Sequence, residues 1–159
     1  MAAKAATITV WRLFPEQTAW DPFDGEGARL YGGRWNPRGV PMVYAASTQA
    51  LAVLEILVHL QGLSAQRAYL AYPLTFPEPL SRCLDVDALP EDWSSDEPSE
   101  CLKAIGKEWA QSHASVALAV PSAIIPHEYN YLINPTHPEF KSVKQGDPVP
   151  LSLDPRLLN

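Results

Sequence analysis

Residues 28–61 read ARLYGGRWNPRGVPMVYAASTQALAVLEILVHLQ, and glycine turn, strand and helix signals follow one another within them. Gly32-Gly33 sets two residues without a Cβ side by side, which permits a positive φ or a close backbone approach. Arg34 follows at once. A planar cation beside exposed N–H groups suits pyrophosphate oxygens, although a solvated arginine on a surface turn has the same local sequence. Met42–Ala46 is a short strand carrying Tyr44. Thr48–Gln61 has helical spacing, with Ser47 or Thr48 as N-cap, because either hydroxyl can accept a free backbone N–H.

On a wheel of about 100° per residue, Leu51, Leu57, Val58 and Ala50 gather around Leu54. Val53, Leu60 and Ile56 fill much of the rim, and a helix this apolar is usually buried. Glu55 is its one formally charged residue. A carboxylate rarely enters such a helix unless it is paired or used; the plainer reading puts it on a narrow exposed stripe with Ala52 and His59. Tyr44 is either an ordinary core tyrosine or an aromatic face for a flat ring.

Several separate runs, in order, resemble one family. They are Leu30–Pro37 (LYGGRWNP), Val43–Ala46, Leu51–Glu55, Val120–Pro126 (VPSAIIP), Asn130–Pro135 (NYLINP) and His137-Pro138. Together they are similar to the RES domain, named for an arginine, a glutamate and a serine that match Arg34, Glu55 and Ser122. The resemblance spans about residues 11–140. It implies a toxin of a bacterial toxin–antitoxin pair with an ADP-ribosyltransferase-like fold. It also implies NAD as substrate, consumed by hydrolysis, by phosphorolysis or by ADP-ribosyl transfer to a protein. The implied partner is an Xre-like antitoxin that blocks the active site. On this reading Glu55, Arg34 and Tyr44 are catalytic, and Arg12, Gly33, Arg34, Tyr44 and Ser122 bind NAD. Arg12 enters because an arginine on the first strand is a recurrent ligand contact in the family; alternation alone would turn it to solvent.

The 159 residues suit one domain. A net charge of −6 argues against a nucleic-acid surface, which carries a basic stripe. Cys83 and Cys101 have no metal-like spacing, His127 and His137 complete no metal site, and no metal is expected. The first ten residues lack an apolar leader core, and no apolar run reaches membrane-spanning length, so the expected location is the cytoplasm.

Thr7–Phe14, Ala68–Phe76 and Tyr129–Pro135 read as strands, and Pro148–Leu153 as an edge strand. Ser115–Val120 alternates Val116, Leu118 and Val120. Glu16–Gly27 reads as a loop able to cover a site. Cys83–Trp93 reads as irregular. Ser99–Ser112 reads as a helix with Leu102, Ile105 and Trp109 on one face. Ser122 follows a strand without a G-x-S-x-G context, so it is a turn residue or a hydrogen-bond donor to ligand or to Glu55. Strands and helices do not alternate regularly and G-x-G-x-x-G is absent. The expectation is therefore a single α+β domain with a mixed, short-stranded sheet and few helices, and not a Rossmann fold.

The implied chemistry breaks the nicotinamide–ribose bond. Ribose gains oxocarbenium character, as in glycoside hydrolysis, and Glu55 would stabilise it while arginines anchor the phosphates. Two other readings compete: a non-enzymatic nucleotide-binding module and a nuclease toxin.

Overall fold

The structure, a computed structural model, describes residues 3–60 and 68–158. In chain order the elements are β1 Thr7–Pro15, α1 Glu26–Tyr31, β2 Val43–Ala46, α2 Gln49–Leu57, β3 Tyr69–Pro77 and β4 Ser81–Cys83. They continue with α3 Glu100–Ser112, β5 Ala117–Pro121, β6 Tyr129–Ile133, β7 Lys144–Gln145 and β8 Val149–Leu151. The strands join one mixed sheet in the order β4-β5-β6-β2-β1-β3-β7, with β8 also on β3. Among the described residues only β4 and β5 pair in parallel. The α+β expectation therefore holds.

The sheet is uneven at its middle. β1 runs against β3 from Thr7–Pro77 to Pro15–Tyr69 without a break. Against β2 it keeps one registered position, Trp11 opposite Ala46. Next to that position the Arg12 side chain donates to the main-chain oxygen of Tyr44.

Three apolar clusters fix the layers. Val10, Val43, Phe76 and Ile133 share one. Trp35, Leu102, Trp109, Leu118 and Leu132 form a second, where α3 packs on β5 and β6. Leu13, Leu51, Ala52 and Ala71 form the third, under α2. Every residue of β5 is buried, because Ala117 belongs to the first cluster and Leu118 to the second. The sequence suggests a strand with one core face; covering on both sides turns it into a continuous apolar run.

Thr48 caps α2 by accepting the Leu51 N–H at 3.1 Å, and Ser99 caps α3 by accepting that of Leu102 at 3.3 Å. Other boundaries differ from expectation. α2 ends at Leu57, where the N–H groups of His59 and Leu60 turn back to the Ile56 carbonyl; Gln61 lies outside the described residues. Only Leu51 and Ala52 of this helix are buried, since it packs on β1 and β2 by one side. Glu26 and Gly27 belong to α1, which Gly32 stops at φ 74°. Ser81–Cys83, whose last residue opens the stretch expected to be irregular, is a strand because β5 offers it a parallel edge.

Candidate active site

The glycine turn is built as a socket. Gly32 takes the positive φ, and Gly33 the close approach. A Cβ on Gly33 would stand 2.7 Å from the Tyr44 hydroxyl and 2.9 Å from Asn36 Oδ1. The Tyr44 hydroxyl donates to Asn36 Oδ1 at 2.5 Å and accepts the Trp35 N–H at 3.1 Å. Burial pushes the Tyr44 phenol well above its ordinary pKa, while the Trp35 bond and the nearby Arg34 charge pull it partly back. The phenol therefore keeps its proton and remains a donor. Asn36, fully buried, directs its Nδ2 at the carbonyls of Ala28, Pro37 and Val40. One tyrosine and one asparagine thus hold the end of α1, the turn and β2 in register.

Arg34 leaves this socket as a half-buried side chain, and its Nη1 donates to the carbonyls of Ser95 at 2.9 Å and Trp93 at 3.2 Å. Arg12 spends Nε on the Pro22 carbonyl at 2.6 Å and Nη1 on that of Tyr44 at 2.9 Å. It thereby ties the segment before α1 to the central strand. Burial lowers its pKa to about 10, against the opposing Asp24 charge, and it stays a cation at neutral pH.

Glu55 projects from α2 towards the ends of β5 and β6. One carboxylate oxygen, Oε1, accepts from Ser122 Oγ at 2.7 Å and from Asn130 Nδ2 at 2.7 Å. Among the described residues Oε2 receives no hydrogen bond. Ser122 is fully buried, and its Oγ also accepts the N–H groups of Ile124 and Ile125, each at 3.1 Å. It is at once the turn residue and the donor to Glu55. Asn130 lies opposite Ala46 on β2, and Tyr44 lies two residues from Ala46 on the same strand. Same-face neighbours on a strand are about 7 Å apart, so Tyr44 and the Glu55 cluster share one side of the sheet.

The structure therefore brings Glu55 together with Ser122, and Arg34 with Gly33 and Tyr44, and it hangs Arg12 on the Tyr44 main chain. Two residues were missed at the sequence level, Asn36 and Asn130. The signal for Asn130 was present: a carboxamide inside the apolar strand Tyr129–Ile133 needs a reason. The signal for Asn36 was only its place in a turn. A shallow surface depression lined by Lys107, Glu108 and Gln111 runs along the outside of α3 and shares none of these residues.

Fold and site define a class: a small α+β domain, not of Rossmann type, that presents one oriented carboxylate near an arginine-bearing glycine turn. The chain belongs to the RES domain family of toxins, whose domain matches residues 9–154. It is 40% identical to "Toxin Res" of Photorhabdus laumondii over 95% of this chain and 97% of that one. It is 38% identical to "Prs ADP-ribosylating toxin" of Sphingobium sp. strain YBL2 over 96% of this chain and 98% of that one. A chain in the crystal structure of the M. tuberculosis MbcT–MbcA toxin–antitoxin complex shares the fold. The TM-score is 0.75 at 20% identity, covering 93% of this chain and 86% of that one.

Proposed function

We propose that this protein is the toxin of a toxin–antitoxin pair and that it cleaves the bond between nicotinamide and ribose in NAD. The observation that carries the reading is Glu55, held by one oxygen on Ser122 and Asn130 with the other unengaged among the described residues. A carboxylate fixed in this way stabilises positive charge as it develops on a ribose carbon. The C1′–N bond breaks and its electron pair leaves with neutral nicotinamide. An acceptor then bonds to C1′ and gives up its proton. The acceptor is water, phosphate or a protein side chain; the Sphingobium relative, named as ADP-ribosylating, favours the last.

Arg34 answers the pyrophosphate, with Gly33 shaping the turn that carries it, since the space a Cβ would fill there is taken by Tyr44 and Asn36, and with the remaining nitrogen of Arg12 as a second contact. Binding energy from that remote half holds the ribose against Glu55. Tyr44 offers its ring edge or face beside the leaving nicotinamide while its hydroxyl keeps the turn in place. The partner that neutralises the protein is an Xre-like antitoxin covering this site, and the complex works in the cytoplasm.

The test is direct. Purified protein is incubated with NAD, and nicotinamide is measured by chromatography with and without phosphate and with a lysate of acceptor proteins. Release of nicotinamide is the expected result, and the arm that accelerates it names the acceptor. Saturable NAD binding with no release in any arm would reduce the protein to a nucleotide-binding module.

A further inference from the structure

We infer that Asn130 is a positioning residue for Glu55, so that the carboxylate works only when this strand asparagine and Ser122 hold it together. The inference deepens the NAD-cleaving reading and rests on it for substrate, but the geometry concerns Glu55 whatever the substrate.

Three observations carry it. First, Asn130 Nδ2 donates to Glu55 Oε1 at 2.7 Å, the same oxygen that Ser122 takes. Two donors on one oxygen fix the plane of a carboxylate and leave its second oxygen to face a substrate. Second, the orientation of the Asn130 amide is not arbitrary, because a carboxylate offers only acceptors and must meet Nδ2. Third, that orientation leaves Asn130 Oδ1 buried without a hydrogen-bond partner. A buried acceptor left unmade opposes folding. Asn130 sits in a strand whose other members are Tyr129, Tyr131, Leu132 and Ile133, paired to Ala46 on one side and Val120 on the other. An apolar residue would serve that strand better. The bond to Glu55 explains why an asparagine stands there.

Ser122 and Asn130 reach Glu55 from different elements. Ser122 is held by its own turn through Ile124 and Ile125, whereas Asn130 is held by the ladder of β6. With Ser122 alone, the carboxylate can pivot about a single donor. The second donor removes that freedom.

The experiment compares wild type with Asn130→Leu and Asn130→Asp. The leucine keeps the branched heavy-atom skeleton, with bulkier methyl ends, and removes both the donor and the orphaned acceptor. The aspartate keeps the shape and reverses the polarity towards Glu55. Each variant is measured for kcat and KM of nicotinamide release, for thermal midpoint, for growth arrest on expression, and for Glu55 conformation in a crystal structure. For Asn130→Leu the expected result is kcat lower by about tenfold or more, KM within about twofold and a midpoint no lower than wild type. Growth arrest should weaken, and Glu55 should occupy more than one rotamer. Asn130→Asp should lose kcat at least as far, and it carries the test if the leucine variant does not fold. A rise in KM at unchanged kcat would make Asn130 a substrate contact and overturn the proposal. So would a single unchanged Glu55 rotamer with full growth arrest. If wild type releases no nicotinamide, the NAD reading fails on its own, and the rotamer and growth measurements still decide the role of Asn130.

Discussion

At the scale of single residues, the site separates charge from scaffold. Glu55 makes no ion pair among the described residues; its partners are the neutral donors Ser122 and Asn130. Glu55→Gln is therefore a clean test. A glutamine oxygen can stand where Oε1 stands and accept both bonds, so the fold should survive with a thermal midpoint close to wild type. The amide removes the negative charge, and nicotinamide release should fall by about a hundredfold or more, as for loss of one well-placed electrostatic group. A destabilised variant with full turnover would give Glu55 a structural role instead. Arg34 should behave differently. Arg34→Ala loses a charge-assisted contact worth about 1.5–3 kcal/mol, read as weaker NAD affinity in a calorimetric titration. Arg34→Lys should recover only part of it, because an ammonium cannot reproduce the planar fork. Unchanged affinity in Arg34→Ala would remove that residue from the site.

At the scale of elements, the longer pieces could be read from the chain and the shorter could not. β1, β3, β6 and α3 carry enough periodic residues to declare themselves, and Thr48 marks the start of α2 by its hydroxyl. α1 is six residues long with Gly27 inside it, too short for a helical period to emerge. β4 is a strand only because β5 lies beside it, which no local pattern records. The pairing of Glu55 with Ser122 is one of the three roles the sequence offers that serine, whereas Asn130 and Asn36 emerge only when β6 and the glycine turn are brought to their neighbours. α3 carries no proposed chemistry, yet it seats the turn. A Cβ on its Gly106 would stand 1.6 Å from the Trp35 carbonyl oxygen. Gly106→Ala should thus push Trp35, and with it Arg34, off the helix. The gain in helix propensity, about 1 kcal/mol, is outweighed by a main-chain clash that cannot be relieved by rotating a side chain. We expect a net loss of about 1–3 kcal/mol, seen as a lower urea midpoint at unchanged slope, together with reduced NAD affinity. A variant as stable as wild type would mean that the turn does not lean on this helix.

At the scale of the whole molecule, the question is what this domain does alone and what it leaves to a partner. Its formal charge is −6, and among the described residues the arginines nearest the site are already turned inward on carbonyls. An acidic surface repels a polyphosphate backbone, since DNA affinity comes largely from released counterions at basic contacts. We propose that operator binding is left to the antitoxin. The same surface exposes large aromatics: Trp20, 48% exposed, two residues before the Pro22 that Arg12 holds, and Tyr31, 73% exposed, at the end of α1 just before the glycine turn. Aromatic residues are enriched where protein interfaces bury their core. We propose that the antitoxin seats on these aromatics and on the adjoining glycine turn that carries Arg34, so that neutralisation is steric. Two measurements check this. NAD and antitoxin should compete, so that antitoxin affinity measured by calorimetry falls as NAD concentration rises. Tyr31→Ala should weaken the antitoxin by about tenfold or more, in the range of an interface anchor, while nicotinamide release by the free toxin stays at wild-type level. In gel-shift titrations the complex should bind operator DNA and the isolated toxin should not. Steep, salt-dependent DNA binding by the toxin alone would end this division of labour, and an antitoxin that binds equally well at saturating NAD would end the steric account.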